Sequence, residues 1–301
     1  MSARPRILVV YKKSAFQLHL LERRDPHLRR LLRARHPDLL DMRRGHTVHQ
    51  ATVDAVLATL KRLGARHDVV YRAHLTTTAR YDLIVAIGGD GTFLQAAHVA
   101  GGIPILGVNS DPARSEAVFC AATASTIGRL LRRALDGTAG EMTLFRLQVR
   151  LNGRALPPLA LNDVLIAHDN PATMSRYRLR VGDRQEFQKS SGLWVAAAAG
   201  SSSAITAAGG RRLDWAARRF QYRPRELYQG RLSGYRLTGG VLPMGKTVHV
   251  TWLMREGSVF VDGPHVRHRL QFGDRLAIGL SPARPVRVLG IRGPRTLRKA
   301  R

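Results

Sequence analysis

Apolar and polar positions follow two different rhythms along this chain, and the change falls near residue 140. In the first part, short unbroken apolar runs are separated by stretches of helical spacing. Ile7–Tyr11 and Leu83–Ile87 are such runs and read as strands; an unbroken run suits a strand buried on both faces, as in parallel sheets. Val69–Tyr71 and Ile103–Val108 read as two more. Phe16–Leu32 is apolar at helical spacing on one face, broken or bent near Pro26. Val48–Leu63 puts Val53, Val56, Leu57 and Leu60 on one helical face and stops at Gly64, and Ala124–Leu135 is a helix closed by Gly137. This alternation predicts a Rossmann-like α/β domain with a parallel sheet over residues 1–140.

From about Glu141 the rhythm is that of strands. Thr143–Leu151 alternates and runs into Asn152-Gly153, a strong hairpin signal. Leu159–Ala167, Tyr177–Val181, Leu193–Ala199, Thr247–Leu253, Ser258–Val261, Arg275–Leu280 and Pro285–Leu289 all read as strands. Ser202–Ala208 is the one short helix expected, and Ala207–Tyr235, rich in Arg and aromatics, carries no assignment. Residues 141–301 are therefore expected to form a mostly antiparallel, β-sandwich-like domain.

Composition narrows the class. The chain has 301 residues and ordinary hydrophobic content, enough for two cores. No apolar run reaches bilayer length, and Ile7–Tyr11, preceded by Arg4 and Arg6, is too short for a signal-peptide core. The single cysteine, Cys120, excludes an internal disulfide, so a cytoplasmic protein is expected. The formal charge of +28 is carried almost wholly by arginine spread along the chain, without interleaved aromatics. A codon bias accounts for that spread, so a nucleic-acid partner and a membrane are not expected; an anionic substrate would still gain from the field.

The chemistry concentrates where the Leu83–Ile87 strand ends, in Gly88-Gly89-Asp90-Gly91-Thr92, followed by a helical segment at Phe93–Val99. Glycines at the carboxyl end of a buried strand leave backbone N–H groups open to a phosphate. Asp90 would repel that phosphate, so it reads as a base or as acting through a metal ion; the plainer alternative is an N-cap in a tight turn. By the rule for open α/β sheets, this loop and the one after Val108 face one crevice. Asn162-Asp163 interrupts an apolar strand, either as a bulge or as an amide and carboxylate offered to a ribose or adenine. Gly200–Gly210 is either a small-residue helix packed against a sheet or a pocket wall, and Asp262-Gly263 reads as a hairpin turn.

Taken in order, these motifs resemble the NAD kinase family, ATP-dependent enzymes that phosphorylate the 2′-hydroxyl of the adenosine ribose. Gly88–Thr92 matches the first family motif, Asn162-Asp163 stands where the family has Asn followed by an acid, and Gly200-Ser201-Ser202-Ser203 to Ala208-Gly209-Gly210 matches the third. Asp262-Gly263 followed by Gly273-Asp274 fits the last. Gly107–Pro112, Ala160–His168 and Ser190-Ser191-Gly192-Leu193 are similar to plant NADH kinases and animal mitochondrial NAD kinases. The sequence departs at Ser191, where the bacterial family has Asp, at Ala204 in place of Tyr, and at Pro264 in place of Gln.

The resemblance implies a site between the two domains, a last stretch of the chain that returns to the first domain, and a homo-oligomer. Asp90 would be the base; Gly88, Gly89, Gly91 and Thr92 would cradle the phosphates of ATP, with Mg²⁺ or another divalent cation bridging them. Asn162 and Asp163 would orient NAD or NADH, Ser201, Ser202 and Ala204 would wall its pocket, and Lys189 and Ser191 would touch it. No residue is expected to ligate a metal by itself. Diacylglycerol- and sphingosine-type lipid kinases share Gly-Gly-Asp-Gly-Thr, but there an Asn-Glu pair follows, where this chain has Phe93-Leu94. An Arg-rich nucleic-acid binder on a kinase fold is the non-enzymatic alternative.

Overall fold

The computed structural model describes residues 5–230, 234–291 and 293. Arg4 and residues 231–233 of the unassigned Arg-rich stretch lie outside the described residues. The chain divides into two compact units, one running to Met142 and taking in a return segment from Arg287, the other spanning Thr143–Val286.

The first unit is built on a seven-stranded sheet in the order Arg66–Tyr71, Arg6–Tyr11, Leu83–Gly88, Ile105–Asn109, Val286–Leu289, Glu141–Leu144, with Cys120–Ala122 also against Ile105–Asn109. Its first four strands are parallel, in a register that sets Ile7 beside Leu83 and Ile84 beside Ile105. Every residue of Leu83–Gly88 is buried, as a central parallel strand requires. Val53, Val56 and Leu60 pack on one face with Ile7, Val9, Val85 and Leu131.

The helix bearing Val53 starts eleven residues before the expected Val48, running Pro37–Arg62. Proline suits the first helical position, and Leu39 and Met42 find apolar partners in a side cluster with Phe16 and Leu20. The intervening Arg43-Arg44-Gly45-His46 hides that first half from an apolar-periodicity reading. Phe16–Leu32 does break near Pro26, into a π-helical turn at Gln17–Glu22 and an α-helix at Pro26–Arg33 whose N-cap Asp25 accepts from the Leu28 N–H at 3.0 Å.

The second unit is a sandwich of two antiparallel six-stranded sheets. One runs Arg184–Ser190, Ser175–Val181, Val248–Trp252, Arg275–Leu280, Leu147–Leu151, Arg154–Ala160; the other Gly240–Pro243, Arg219–Arg225, Gly192–Ala197, Asp163–Ala167, Ser258–Val261, Val266–Arg269. Trp252, Tyr177, Phe220, Leu193 and Val259 fill the space between them. A fully buried side chain of this size stabilises by about 1.5–3 kcal/mol relative to exposure. Asn152 and Gly153 both take positive φ, 49° and 85°, in the expected hairpin.

Five strands escaped the pattern reading: Cys120–Ala122 in the first unit, and Arg184–Ser190, Arg219–Arg225, Gly240–Pro243 and Val266–Arg269 in the second. The outward positions of Arg184–Ser190, Arg219–Arg225 and Val266–Arg269 are mostly long and polar, and pairing with neighbours, not apolar content, holds them. The expected Leu159–Ala167 strand is two strands in different sheets, divided at Leu161-Asn162. The expected Ser202–Ala208 helix is a single turn, Ala204–Ala207. Among the described residues no helix is long and apolar enough to cross a membrane.

Candidate active site

In the first unit the chain passes from the Leu83–Gly88 strand into the Asp90–Val99 helix through Gly89 alone. Gly89, not Asp90, is the N-cap, and no side chain caps the helix. The first N–H groups of a helix have no partner within it, so the start of this one is open to an anion. A Cβ on Gly88 would stand 2.3 Å from Thr92 Oγ1, which makes glycine obligatory there. The Thr92 hydroxyl is itself buried without a hydrogen-bond partner among the described residues. The loop after Val108 joins this one, since the Ser110 N–H donates to the Gly88 carbonyl at 2.9 Å.

Freed from capping, the half-buried Asp90 carboxylate accepts from the N–H groups of Val118 (3.1 Å) and Phe119 (2.9 Å). Burial raises its pKa above the ordinary carboxylate value, against the pull of the Phe119 and Val118 donors, and Glu116 adds to the rise. The same crest carries two cations that the sequence reading passed over. The Lys12 side chain reaches to 3.4 Å from where a Cβ on Gly88 would stand, and Arg72 Nη1 to 3.5 Å from that of Gly91. Burial lowers the Lys12 pKa, and Arg72 lowers it further, while Asp111 and Cys120 oppose. Among the described residues neither cation forms an ion pair. Lys12-Lys13 directly after the first strand was the available signal.

In the second unit, Asn162 and Asp163 sit where the chain leaves one sheet for the other. The Asp262 carboxylate accepts three successive N–H groups there, from Leu161 (2.9 Å), Asn162 (2.7 Å) and Asp163 (3.1 Å). Asp262 thus does more than form the expected hairpin turn, although its φ of 51° fits one. Asn162 Nδ2 donates to Asp163 Oδ2 at 3.0 Å, and the Ser203 hydroxyl donates to the same oxygen at 2.9 Å. Burial pushes the Asp163 pKa up to about 7, with Asp262 adding to the rise and Ser203 opposing it. A Cβ on Gly200 would stand 1.9 Å from the Asn162 carbonyl oxygen, so only glycine fits.

The motif serines divide in their roles. Ser201 is fully buried and its hydroxyl accepts from the Leu213 N–H at 2.9 Å, so it braces the loop where a pocket wall was expected. Ser202 is half-buried and Ala204 exposed. Ser203, which the sequence reading did not single out, is the one that reaches Asp163. Lys189 and Ser191 lie elsewhere on the unit. Ala196 pairs with Asp163 on neighbouring strands, and Ser191 precedes the far end of that strand, roughly 16 Å along it. There the Lys189 ammonium stands 4.5 Å from the Tyr228 ring centre, and the Ser191 N–H donates to the Arg225 carbonyl at 3.0 Å.

The glycine-lined Asp90 carboxylate of the first unit and the buried Asn162–Asp163 pair of the second are the two chemical centres that the structure describes. The sequence model described as "ATP-NAD kinase N-terminal domain" matches residues 29–138. A probable NADH kinase of Oryza sativa is 37% identical over 254 residues, covering 77% of this chain and 78% of that protein. Two solved structures share the fold. They are an NAD kinase from Archaeoglobus fulgidus in complex with ATP (TM-score 0.65, 20% identity, 94% of this chain and 92% of that one) and yeast NADH kinase complexed with NADH (TM-score 0.71, 12% identity, 97% and 85%). The chain belongs to the NAD kinase family, and the lipid-kinase alternative is not favoured.

Two outcomes follow from the Asn162–Asp163 turn. Asp262→Asn leaves at least one of three N–H groups without its acceptor, at a cost of about 1–3 kcal/mol in stability. In the folded variant the KM for the dinucleotide rises more than the KM for ATP, as steady-state kinetics with each substrate varied would establish; equal rises would make Asp262 a stability residue only. For Asp163, a folded-state pKa raised to about 7 means the folded protein binds the proton more tightly than the unfolded chain. Its stabilising contribution is full below about pH 4 and is lost as the pH climbs to about 7. Urea midpoints of wild type and Asp163→Asn should therefore shift in the variant's favour between those pH values and run parallel above them.

Proposed function

We propose that this phosphotransferase moves the γ-phosphoryl group of ATP to the 2′-hydroxyl of the adenosine ribose of NAD or NADH, with Asp90 as general base. The observation that carries this reading is the state of Asp90, a half-buried carboxylate held by two backbone N–H groups at the start of an uncapped helix. A ribose hydroxyl is a weak nucleophile at neutral pH and gains from a base that takes its proton in the transition state. Burial raises the pKa of Asp90 toward the working range, which makes it the better base.

Phosphoryl transfer passes through a loose transition state whose charge needs fixed positive partners. The open N–H groups at Gly89–Gly91, the Thr92 hydroxyl, Lys12 and Arg72 supply them in this reading. Among the described residues no three His, Cys, Asp or Glu side chains gather as a metal centre. In this reading a divalent cation, Mg²⁺, arrives with ATP as part of the donor substrate.

On the acceptor, Asn162 offers an amide with both donor and acceptor, and Asp163, with a pKa near neutrality, accepts or donates as the ligand requires. The span from Asp163 to Ser191 suits an extended dinucleotide, with Lys189 and Ser191 toward its nicotinamide end. The name of the rice relative, an NADH kinase, supports a reduced acceptor. A homo-oligomer in the cytoplasm belongs to the same reading, supported by the family resemblance and by the single cysteine.

Asp90→Asn is expected to lower kcat by about 10²–10⁴, the usual loss of a general base, with dinucleotide affinity kept within about tenfold. Retention of more than about a tenth of wild-type kcat would remove Asp90 from the role. The second outcome concerns the acceptor's charge. Oxidised nicotinamide is cationic and reduced nicotinamide neutral, so a carboxylate at position 191 favours the oxidised ring by roughly 1–4 kcal/mol before desolvation. With Ser191 in place, the enzyme uses NADH at least as well as NAD. Ser191→Asp moves the ratio of the two kcat/KM values toward NAD by roughly tenfold. A wild-type enzyme strongly preferring NAD, or a variant ratio that does not move, would contradict this.

A further inference from the structure

The arginines that look scattered along the sequence are gathered by the topology of one sheet. In the sheet that begins with Arg184–Ser190, antiparallel register carries one outward row through Arg180, His249, Ala277 and Arg150. A second row runs through Phe187, Arg178, Thr251 and Arg275. Arg178 and Arg180 alternate with the buried Tyr177 and Leu179, so they stand side by side on the outer face, about 7 Å apart along the strand.

This face has almost nothing to neutralise it. The six strands of the sheet contain one acid, Glu186, and its carboxylate turns away to accept from the N–H groups of Arg236 and Leu237, both at 3.0 Å. Asp274, at the edge, is held by the Asn152 side chain and the Gln271 N–H. Among the described residues, Arg150, Arg178, Arg180 and Arg275 pair with no carboxylate. Two phenylalanines lie on the same surface with unusual exposure, Phe187 at 52% and Phe272 at 68%. Phe187 is the register partner of Arg178, and Phe272 joins His249 and Arg275 around an open concavity of about 620 Å³.

We infer that this outer sheet face is a binding surface for single-stranded nucleic acid, separate from the phosphoryl-transfer chemistry. Unpaired guanidinium groups at strand spacing match a repeating phosphate backbone, and the exposed rings of Phe187 and Phe272 at either end of the row offer bases a face to stack on. A flat sheet carrying both is the arrangement single strands require. A lipid headgroup layer is entered by apolar side chains grouped together, and Phe187 lies three strands away from Arg275 and its neighbour Phe272. A second copy of the same face brings like charges together. Arg176, opposite Lys189, is left out of the surface because Lys189 belongs to the proposed dinucleotide site.

The test uses the full-length protein and a fluorescently labelled oligouridine of about twelve nucleotides, with anisotropy read across a salt series. Wild type is expected to bind with an affinity that falls steeply as salt rises. Arg178→Gln/Arg180→Gln/Arg275→Gln should weaken binding by at least about tenfold and flatten the salt dependence. Phe187→Ala/Phe272→Ala should weaken it several-fold with the salt dependence unchanged. Both variants should keep wild-type NADH phosphorylation, which reports an intact fold. Undiminished binding by the arginine variant would overturn the inference. So would Phe variants that bind like wild type while inorganic polyphosphate or phosphatidylserine vesicles compete as well as the oligonucleotide, because the face would then read charge alone. Dissociation of an oligomer in the arginine variant would assign the face to subunit contact and overturn it equally.

Discussion

Between Ala160 and Asp163 the chain leaves one sheet of the sandwich and enters the other, and three successive backbone N–H groups lose their ladder partners in the crossing. Each buried N–H left without an acceptor costs about 1–3 kcal/mol, so the crossing exists only if something replaces the ladder. Asp262, a hundred positions further along the chain, does so with both carboxylate oxygens. The Asp262 N–H in turn donates to the Asp163 carbonyl at 2.9 Å, which ties the two segments in both directions. The backbone that displays Asn162 and Asp163 is therefore held by charge-assisted hydrogen bonds. Gly200 packs against the Asn162 carbonyl from the other side, so the turn is constrained on two fronts.

Two carboxylates of the molecule share a cause and differ in consequence. Burial raises the pKa of both Asp90 and Asp163. Asp90 keeps two backbone N–H donors, which favour its charged form against that rise. Asp163 has only hydroxyl and amide donors and the nearby Asp262 charge, and it sits near neutrality.

The positive charge follows a similar division. At the crest of the first unit Lys12 and Arg72 stand by an uncapped helix and a Thr92 hydroxyl without a partner among the described residues, so positive potential gathers around one glycine loop. On the outer face of the second unit the cations are spread across a sheet and spaced by the strand repeat. A single net charge of +28 thus covers arrangements with different chemistry. Position relative to other groups, and not the sum, decides what each cation does.

The sequence by itself determined the elements whose information is local. The buried run Leu83–Ile87 and the glycines after it define a parallel strand entering a phosphate-type loop, and Asn152-Gly153 defines a hairpin, because apolar continuity and positive φ are written into residue type. The ordered motifs Gly88–Thr92, Asn162-Asp163 and Gly200–Gly210 were enough to recognise the family. Tertiary structure alone decided what depends on partners distant in the chain. It extended the helix of Val53 back to Pro37 through contacts with Phe16 and Leu20, and it paired Arg219–Arg225 and Val266–Arg269 into sheets despite their charge. It exchanged Ser201 for Ser203 beside Asp163 and set Lys12 and Arg72 next to the glycine loop. It also turned Asp262 from a turn residue into the acceptor of three N–H groups. Hydrogen bonds and like-charge neighbours act through space at a few ångströms, and separations of forty to a hundred residues carry no periodicity from which they can be read.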